Sequence, residues 1–406
     1  MIQLTSKALL SGFVAFWLAL GTCLPGDAPG AGQQPGTLGV NQRASFSLIR
    51  GDLKARKVEE AIQRASQFAQ EHSSDADALL QLGMLMAENA QDHAAAGLFA
   101  RVNELRPHAP IVLYDLGIAE YRLHHLQRAA QALAESADLD PRPADVHYVL
   151  GLIASDGDDR ANAILEFQHA VARAPRRADY EARLGEEYWK AGDAQGAITA
   201  YQHAIARNRS EAEYFLHLGD ALFLVNQYGA AAEAFRRAAQ LDPKLPRINF
   251  LIGYAYQYAE NPAKAAEYFE RQLVFLPSDS ASLAALGSIA VDEGHLAAAR
   301  KYLHRALAAD PDQLQAVLAL GEVYLKLGQY PCAIAAFHRA LLLDPANAKG
   351  AYGLYLAYAR SHQTRPAGLA LARWKAVEAL DREVRKEEGE LVAARQAHWG
   401  AIGESP

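Results

Sequence analysis

The sequence predicts an all-α protein built from stacked helix–turn–helix units, and three regularities carry this prediction. Alanine follows twelve residues after each of a series of glycines, and a large apolar residue follows four positions later. Proline follows 24 residues after seven of the eight glycines, with Arg209 in its place in the fourth copy. A fixed period of this length indicates repeated supersecondary units. The glycines recur every 34 residues, each after leucine or isoleucine: Gly83, Gly117, Gly151, Gly185, Gly219, Gly253, Gly287 and Gly321.

The residue types at these positions have a steric explanation. Glycine inside a helix costs about 1 kcal/mol relative to alanine, so its repeated use predicts that two helices cross closely at this point. The alanine lies at the same crossing on the second helix, and the large residue fills the space beside it. Proline ends the second helix because it has no N–H to donate and restricts the residue before it. The large residues are Phe99, Leu133, Phe167, Tyr201, Phe235, Phe269, Leu303 and Phe337.

This pattern resembles the tetratricopeptide repeat, a helix–turn–helix unit. The resemblance covers residues 76–347 as eight full units, with weaker copies on both sides. It implies an all-α fold, a right-handed superhelical solenoid of such units. It implies little about a reaction or a ligand, because a repeat scaffold hosts many functions.

The segments that flank the eight units keep part of the register. Residues 43–75 place Ala61 at the alanine position, but Ile49 replaces the glycine. Residues 348–400 place Tyr355 where the glycine would stand and end in a long charged helix. We interpret the first as a degenerate N-terminal capping repeat, and the second as a degenerate repeat with a C-terminal capping helix. Such caps shield the open ends of a stack.

Residues 1–24 have the order of an export signal, with Lys7 before an apolar run over residues 8–24. Residues 25–42 are rich in proline and glycine and predict a flexible linker. The segment has three possible fates: cleavage, lipid attachment at Cys23, or retention as a membrane anchor through residues 8–24. Thr22 departs from the residue usual before a lipid-modified cysteine. In each case we expect the repeats outside the cytoplasm, in the periplasm or the extracellular space.

Composition and motifs argue against several classes of function. The 406 residues carry 40 Lys and Arg against 47 Asp and Glu, and this net charge of −7 disfavours nucleic acid, which usually requires a basic face. The sequence has no HExxH, no CxxC pair, no phosphate-binding GxxxxGK motif and no GxSxG. The residues outside the repeats are too few for a catalytic domain. We predict no catalytic, cofactor-binding or metal site, and a protein that is not an enzyme.

In tetratricopeptide repeat proteins the first helix of each unit lines a concave groove, where peptides usually bind. The resemblance implies groove positions one and four places after each glycine and three places before it. Here these positions are aromatic with some acidic residues, which suits a partner with apolar anchors and basic side chains. For Tyr148 and Phe250, packing between neighbouring first helices is an equally good interpretation. The predicted groove residues are Tyr114, Tyr121, Tyr148, Glu186, Trp189, Asp220, Phe223, Phe250 and Tyr254.

These observations predict an exported, non-enzymatic scaffold or adaptor that binds a protein or peptide segment in its groove, without a cofactor. Three alternatives stay open. One is a membrane-tethered assembly factor of an envelope or secretion complex. Another is a targeting subunit for a catalytic chain encoded elsewhere. The third is a carbohydrate or lipid binder, which a shallow groove disfavours because it buries a small ligand poorly.

Overall fold

A computed structural model of the protein describes residues 38–140 and 143–403. These residues form twenty α-helices and no β-strand. Contacts divide the chain into two compact units, residues 1–209 (unit 1) and 210–406 (unit 2), each of which is a series of helix pairs. The predicted export signal and most of the predicted linker lie outside the described residues.

Unit 1 contains five helix pairs that follow one another along the chain. The first pair precedes the eight full repeats, and the other four pairs form the first four of them. Within each full repeat, the first helix carries the conserved-spacing glycine and the second carries the alanine and the large apolar residue. The helices are α1 (Val40–Lys54), α2 (Val58–Glu71), α3 (Ala76–Glu88), α4 (Asp92–Leu105), α5 (Pro110–Arg122), α6 (Leu126–Leu139), α7 (Ala144–Asp156), α8 (Arg160–Arg173), α9 (Ala178–Ala191) and α10 (Ala194–Arg207).

Unit 2 also contains five helix pairs. Four of them form the last four full repeats, and the fifth follows the repeats at the C-terminal side. The helices are α11 (Ala212–Leu224), α12 (Tyr228–Leu241), α13 (Ile248–Tyr258), α14 (Pro262–Phe275), α15 (Ser280–Asp292), α16 (Leu296–Ala309), α17 (Leu314–Lys326), α18 (Tyr330–Leu343), α19 (Ala348–Arg360) and α20 (Thr364–Gly403).

The two helices of each full repeat cross as closely as the glycines predict. A Cβ atom on Gly83 would lie 2.7 Å from Cε1 of Phe99, and one on Gly219 would lie 2.5 Å from Cδ1 of Phe235. All eight glycines face the large residue sixteen positions later in this way, and the eight alanines at the crossing are fully buried. Carbon atoms in contact ordinarily stay about 3.5–4.0 Å apart, so a larger residue does not fit. The predicted all-α fold of helix–turn–helix repeats is confirmed.

The turn inside each helix pair contains one residue in the left-handed conformation. These residues also recur every 34 positions, and three are glycine: Gly192, Gly294 and Gly328. The left-handed region costs a residue with a Cβ atom about 1–2 kcal/mol. The flanking pairs α1–α2 and α19–α20 have the same turn in the same register as the full repeats. The residues other than glycine have φ between 55° and 61°: Arg56, Ala90, His124, Asp158, Asn226, Glu260 and His362.

Arginine side chains connect successive repeats of unit 2. Arg305 Nη2 donates a hydrogen bond to the carbonyl oxygen of Pro277 at 3.1 Å, and Arg373 Nη2 donates to that of Pro345 at 2.9 Å. Each of these prolines lies just beyond the end of a second helix, where backbone carbonyls lack a partner within the helix. The bond therefore supplies a donor near the helix end and fixes one repeat against the next.

The two flanking helix pairs extend the stack in both directions. Helix α1 begins at Val40, so residues 40–42, predicted as linker, are helical. Ile49 is buried, and the ring of Phe46 meets that of Phe68 on α2 edge to face at 5.3 Å. Helix α20 runs for 40 residues from Thr364 to Gly403. In the described part of the chain, no helix is both long and apolar enough to span a membrane.

Replacement of a crossing glycine tests the steric constraint. We expect G219L to lower the free energy of unfolding of unit 2 by at least about 3 kcal/mol, because the new side chain would overlap Phe235. Gly229, at the start of α12, has no atom within 4 Å of a Cβ added there, so G229L is the matched control. Urea denaturation followed by circular dichroism measures both, and a wild-type midpoint for G219L would refute the constraint.

The left-handed turn gives a second, opposite pair of substitutions in unit 1. We expect A90G to raise the free energy of unfolding by about 1 kcal/mol, because glycine adopts a positive φ without steric cost. G192A introduces a Cβ atom at the equivalent turn and should lower it by a similar amount. Chemical denaturation compares the two variants with the wild type. Shifts of the same sign for both would show that backbone strain at this turn has no part in stability.

Candidate functional site

The candidate site is the first-helix face, which we define as the surface where the first helices of adjacent repeats meet. In unit 1 it is formed by α3, α5, α7 and α9, and in unit 2 by α11, α13, α15 and α17. The predicted groove residues divide between the two units. Unit 1 holds Tyr114, Tyr121, Tyr148, Glu186 and Trp189, and unit 2 holds Asp220, Phe223, Phe250 and Tyr254.

Tyr148 packs between two first helices. Its ring stacks on that of Tyr180 from α9 with centroids 4.5 Å apart and an interplanar angle of 18°, and it also contacts Phe167 at 5.6 Å. The hydroxyl of Tyr180 donates a hydrogen bond to Asp145, and the guanidinium of Arg177 lies 4.3 Å from the Tyr180 ring centroid. Only 4% of Tyr148 is exposed. Its main role is therefore to join α7 to α9.

Tyr121 and Tyr114 are also held inside the first-helix face. The Tyr121 hydroxyl donates to Asp156 Oδ2 at 2.8 Å, and the residue is 9% exposed. Burial, followed by this hydrogen bond, raises the pKa of Tyr121 above its ordinary value. Burial and the nearby carboxylate of Asp145 likewise raise the pKa of Tyr114. Both phenols stay neutral at physiological pH and act as apolar or hydrogen-bonding groups.

Trp189 is the most accessible of the predicted residues in unit 1, with 39% of its surface exposed near the end of α9. Beside it, Glu186 lies between Arg183 Nη1 at 2.6 Å and Lys190 Nζ at 3.0 Å. Lys190 also contacts Glu187 at 2.8 Å. Burial opposes ionisation of Glu186, but its two cationic neighbours hold the pKa of this carboxyl below the ordinary value. The exposed indole is thus bordered by two anions and two cations that are already paired.

Asp115 on α5 adds a charge that changes with pH. Burial raises the pKa of this carboxyl to about 7, because a desolvated carboxylate loses the stabilisation that water gives its charge. Near neutral pH the residue therefore interconverts between a neutral and an anionic form. The first-helix face of unit 1 is accordingly less acidic than its sequence indicates.

The first-helix face of unit 2 contains a layered group of rings, the aromatic cluster, which consists of Phe223, Tyr228, Phe250, Tyr254 and Tyr258. Tyr254 is stacked between Phe223 at 5.3 Å and Phe250 at 5.6 Å, both with an interplanar angle of 16°. Tyr258 lies one turn further along α13, with its ring 4.9 Å from Tyr254 and edge-on to Phe223 at 5.3 Å. Offset stacking and edge-to-face contacts of this kind hold the rings rigidly.

The outer members of the aromatic cluster are accessible to a partner. Tyr258 is 47% exposed, and its hydroxyl lies 3.2 Å from that of Tyr254. Burial and this hydroxyl contact raise the pKa of Tyr254 to about 12. At the other end of the cluster, the guanidinium of Arg247 lies 4.4 Å above the Phe250 ring. The cluster already binds one cation through a ring face, which is the chemistry expected of an exposed aromatic surface.

Sequence reasoning missed Tyr228 and Tyr258. Tyr258 follows its repeat glycine by five positions, one place beyond the groove positions of the family, and Tyr228 begins the second helix α12. The signal that could have found Tyr258 is its spacing of four residues from Tyr254, which places both on one side of a helix. Asp220, which was predicted, lies with Oδ2 3.7 Å from His217 Nδ1 on α11.

A second surface of unit 2 lies on the second helices. It is an open groove of about 520 Å³, and its lining includes Ile248, Tyr268, Arg271, Val274 and Phe275. Val274 and Phe275 are both strongly exposed at the end of α14. The sequence pattern did not indicate this groove, because it depends on how α12, α13 and α14 meet.

The comparisons with known proteins agree with the repeat architecture. The family model described as tetratricopeptide repeat matches residues 114–178, 183–246 and 284–351. No curated protein matches the sequence. Similar solved structures include the C-terminal part of a TPR repeat-containing protein from Cytophaga hutchinsonii, with 18% identity, a TM-score of 0.45 and coverage of 68% of this chain and 99% of that chain.

Two further structures are comparable. YrrB, described as a TPR protein with an unusual peptide-binding site, has 22% identity and a TM-score of 0.43, over 47% of this chain and 97% of that chain. PilF of Pseudomonas aeruginosa has 20% identity and a TM-score of 0.42, over 51% of this chain and 94% of that chain. The 34-residue period, the helix pairs with their glycine crossings and the family match together place this chain in the tetratricopeptide repeat family.

Proposed function

We propose that this protein is a non-enzymatic scaffold that binds a segment of another protein on its first-helix face, outside the cytoplasm. Tetratricopeptide repeats are protein-interaction modules, so the coarse assignment follows from the family. The observation that carries the finer proposal is the pair of accessible aromatic groups on that face, Trp189 in unit 1 and Tyr258 with its aromatic cluster in unit 2.

The accessible rings are held ready for binding. Tyr258 is fixed by contacts with Tyr254 and Phe223, and all three rings are carried by helices rather than loops. A partner that packs against them immobilises few additional side chains, so little of the interaction free energy is lost to ordering. Large aromatic side chains with this kind of support are frequent among residues that dominate binding free energy.

The neighbouring charges define the partner further. Around Trp189, the pairs formed by Glu186 with Arg183 and Lys190 are partly exposed, and such pairs contribute little to stability. They can exchange one member for a charged group of a partner at small cost. The exposed ring of Tyr258 attracts both apolar groups and cations. We therefore propose an extended or helical protein segment with apolar anchors and basic residues as the ligand.

Export is the part of the proposal that rests on the N-terminal sequence. A positive residue, Lys7, precedes the apolar run of residues 8–24 and a proline- and glycine-rich segment, which is the order of a secretion signal. The same run supports one alternative, a membrane-tethered assembly factor of an envelope or secretion complex. Fractionation of source cells distinguishes them: the released protein occurs in a soluble exported fraction, and the tethered protein occurs in membranes.

Removal of the exposed rings tests the binding face. The full-length protein serves as bait for proteins of the source cell, with quantitative mass spectrometry of the captured fraction. We expect the W189A/Y258A variant to recover at least about 10-fold less of the specific partner, because truncation of an aromatic binding residue commonly costs 2 kcal/mol or more. Circular dichroism checks that the variant retains its helical content.

The control is F275A, which removes an equally exposed ring from the second-helix groove of unit 2. Recovery unchanged in F275A and reduced in W189A/Y258A supports the first-helix face. The reverse result would move the site to the groove beside α14. Capture of an enzyme with its activity would replace the scaffold proposal by that of a targeting subunit, and capture of glycans alone would refute binding to protein.

The raised pKa of Asp115 predicts a pH-dependent stability. Because the folded-state pKa of about 7 exceeds the ordinary value of 3.8, the folded chain binds more protons than the unfolded chain between these values. The contribution of Asp115 is fully present below about pH 4 and is lost as the pH rises through 7. We expect D115N to remove this loss, which amounts to at most about 4 kcal/mol. Urea midpoints at pH 5 and pH 8 measure it, and the same pH dependence in both proteins would contradict the assignment.

A further inference from the structure

Three side chains of the third repeat form a polar group away from the aromatic residues of the first-helix face. His147 extends from α7, and Glu166 and His169 extend from consecutive turns of α8. Each side chain offers one nitrogen or oxygen atom, and these three atoms lie within 4.8 Å of one another. We call this group the His147 cluster. Imidazole nitrogens and a carboxylate are ligands that bind zinc and related metal ions.

The His147 cluster contains polar atoms that the protein leaves without a hydrogen bond. His147 is only 7% exposed; its Nδ1 lies 2.8 Å from Glu166 Oε2, but its buried Nε2 has no hydrogen-bond partner. The buried Nδ1 of His169 also has none, and the two imidazole centroids are 5.2 Å apart. Buried polar atoms are nearly always satisfied. Two unsatisfied imidazole nitrogens in one cluster indicate a ligand that accepts their lone pairs.

The other repeats show that helix packing does not require these residues. At 34-residue intervals from His147, the seven other full repeats have Leu79, Leu113, Glu181, Phe215, Asn249, Leu283 and Val317. At the position of Glu166, they have Leu98, Ala132, Ala200, Ala234, Tyr268, Tyr302 and Ala336. At the position of His169, arginine is the commonest residue, as in Arg101, Arg237, Arg271, Arg305 and Arg339. Only the third repeat combines two histidines with a glutamate.

We propose that His147, Glu166 and His169 bind a divalent transition-metal ion, with Zn²⁺ as the best match. Two histidines and one glutamate are a known three-ligand set for zinc, whose fourth position is taken by water. Ligand atoms around tetrahedral zinc lie about 3.4 Å apart, as its bond lengths of about 2.0–2.2 Å require. Small rotations of the three side chains bring their ligand atoms to that spacing. The half-buried Glu166 and His169 leave the ion a path from solvent.

The bound ion would link the two helices of the third repeat. His147 comes from α7 and the other two ligands from α8, so all three bonds act across the helix crossing at Gly151. Tyr148, the next residue on α7, joins this helix to α9 through Tyr180. Metal occupancy would therefore stiffen the centre of unit 1. This site departs from the sequence prediction of no metal, because ligands 19 and 3 residues apart match no motif that was searched.

Metal titration of the full-length protein, stripped with chelator and free of an affinity tag, tests the proposal. Calorimetry with Zn²⁺ should show one tight equivalent, and Co²⁺ should give the strong visible absorption of a tetrahedral complex. The variants H147L, E166A and H169R replace each ligand by a residue that other repeats have at that position, so each is expected to fold. Each should weaken Zn²⁺ binding by about 100-fold or more, since even changes outside the ligand set cost 10–100-fold.

The fourth repeat provides a matched control. There, His203 Nδ1 lies 3.5 Å from Glu181 Oε1, but Ala200 stands at the third ligand position. H203R should therefore leave the tight equivalent unchanged. Hydrogen exchange with and without Zn²⁺ should show added protection confined to α7 and α8.

Several outcomes would overturn the site. They are the absence of a tight equivalent in the wild type, binding that survives H147L and H169R, or protection located elsewhere. A variant that circular dichroism shows to be unfolded does not count. The remaining ligand variants and the exchange experiment on the wild-type protein then decide the matter.

Discussion

The contact between a glycine of the first helix and a large side chain of the second is the constraint on which each full repeat depends. No Cβ atom fits at Gly83 or Gly219, because a ring of Phe99 or Phe235 already occupies that space. The contact sets how closely the two helices approach and how each is rotated about its axis. It therefore also determines which side chains of the first helix, such as Trp189 four places after Gly185, point away from the second helix. The binding face follows from the packing of the core.

The helical repeats could be predicted because their crossing accepts few residue types. Only glycine fits the first helix there, and only a small residue such as Ala231 fits opposite it. The left-handed turn was not predicted, since its cost of about 1–2 kcal/mol is small enough for alanine, arginine or aspartate to be tolerated. Helix α1 begins three residues before the predicted cap because Val40 to Gln42 form its first turn, although they adjoin a glycine-rich segment. A steric exclusion leaves a clear record in sequence, whereas a modest energetic preference does not.

The candidate site was only partly predictable, because exposure depends on the neighbouring repeat. Tyr148 and Trp189 both occupy groove positions of the family, yet Tyr180 covers the first and nothing comparable covers the second. Tyr258 joins the aromatic cluster from outside those positions. The histidines of the third repeat illustrate the same limit: each is unremarkable in its own helix, and their chemistry arises only where α7 and α8 cross. Local register predicts where a side chain is attached, but the contacts it makes are set by residues elsewhere in the chain.

The spacing of the crossing contact has a consequence for how the chain folds. Each glycine meets a residue only sixteen positions later, and the arginine bonds between repeats, such as that from Arg305 to Pro277, span less than one repeat. Contacts this local close small loops, whose entropic cost is low, and chains rich in them fold quickly. A helix pair can therefore form soon after its last residue becomes available, without waiting for distant segments. During synthesis, each completed pair would present a surface on which the next pair is ordered, so the stack would grow in the direction of translation.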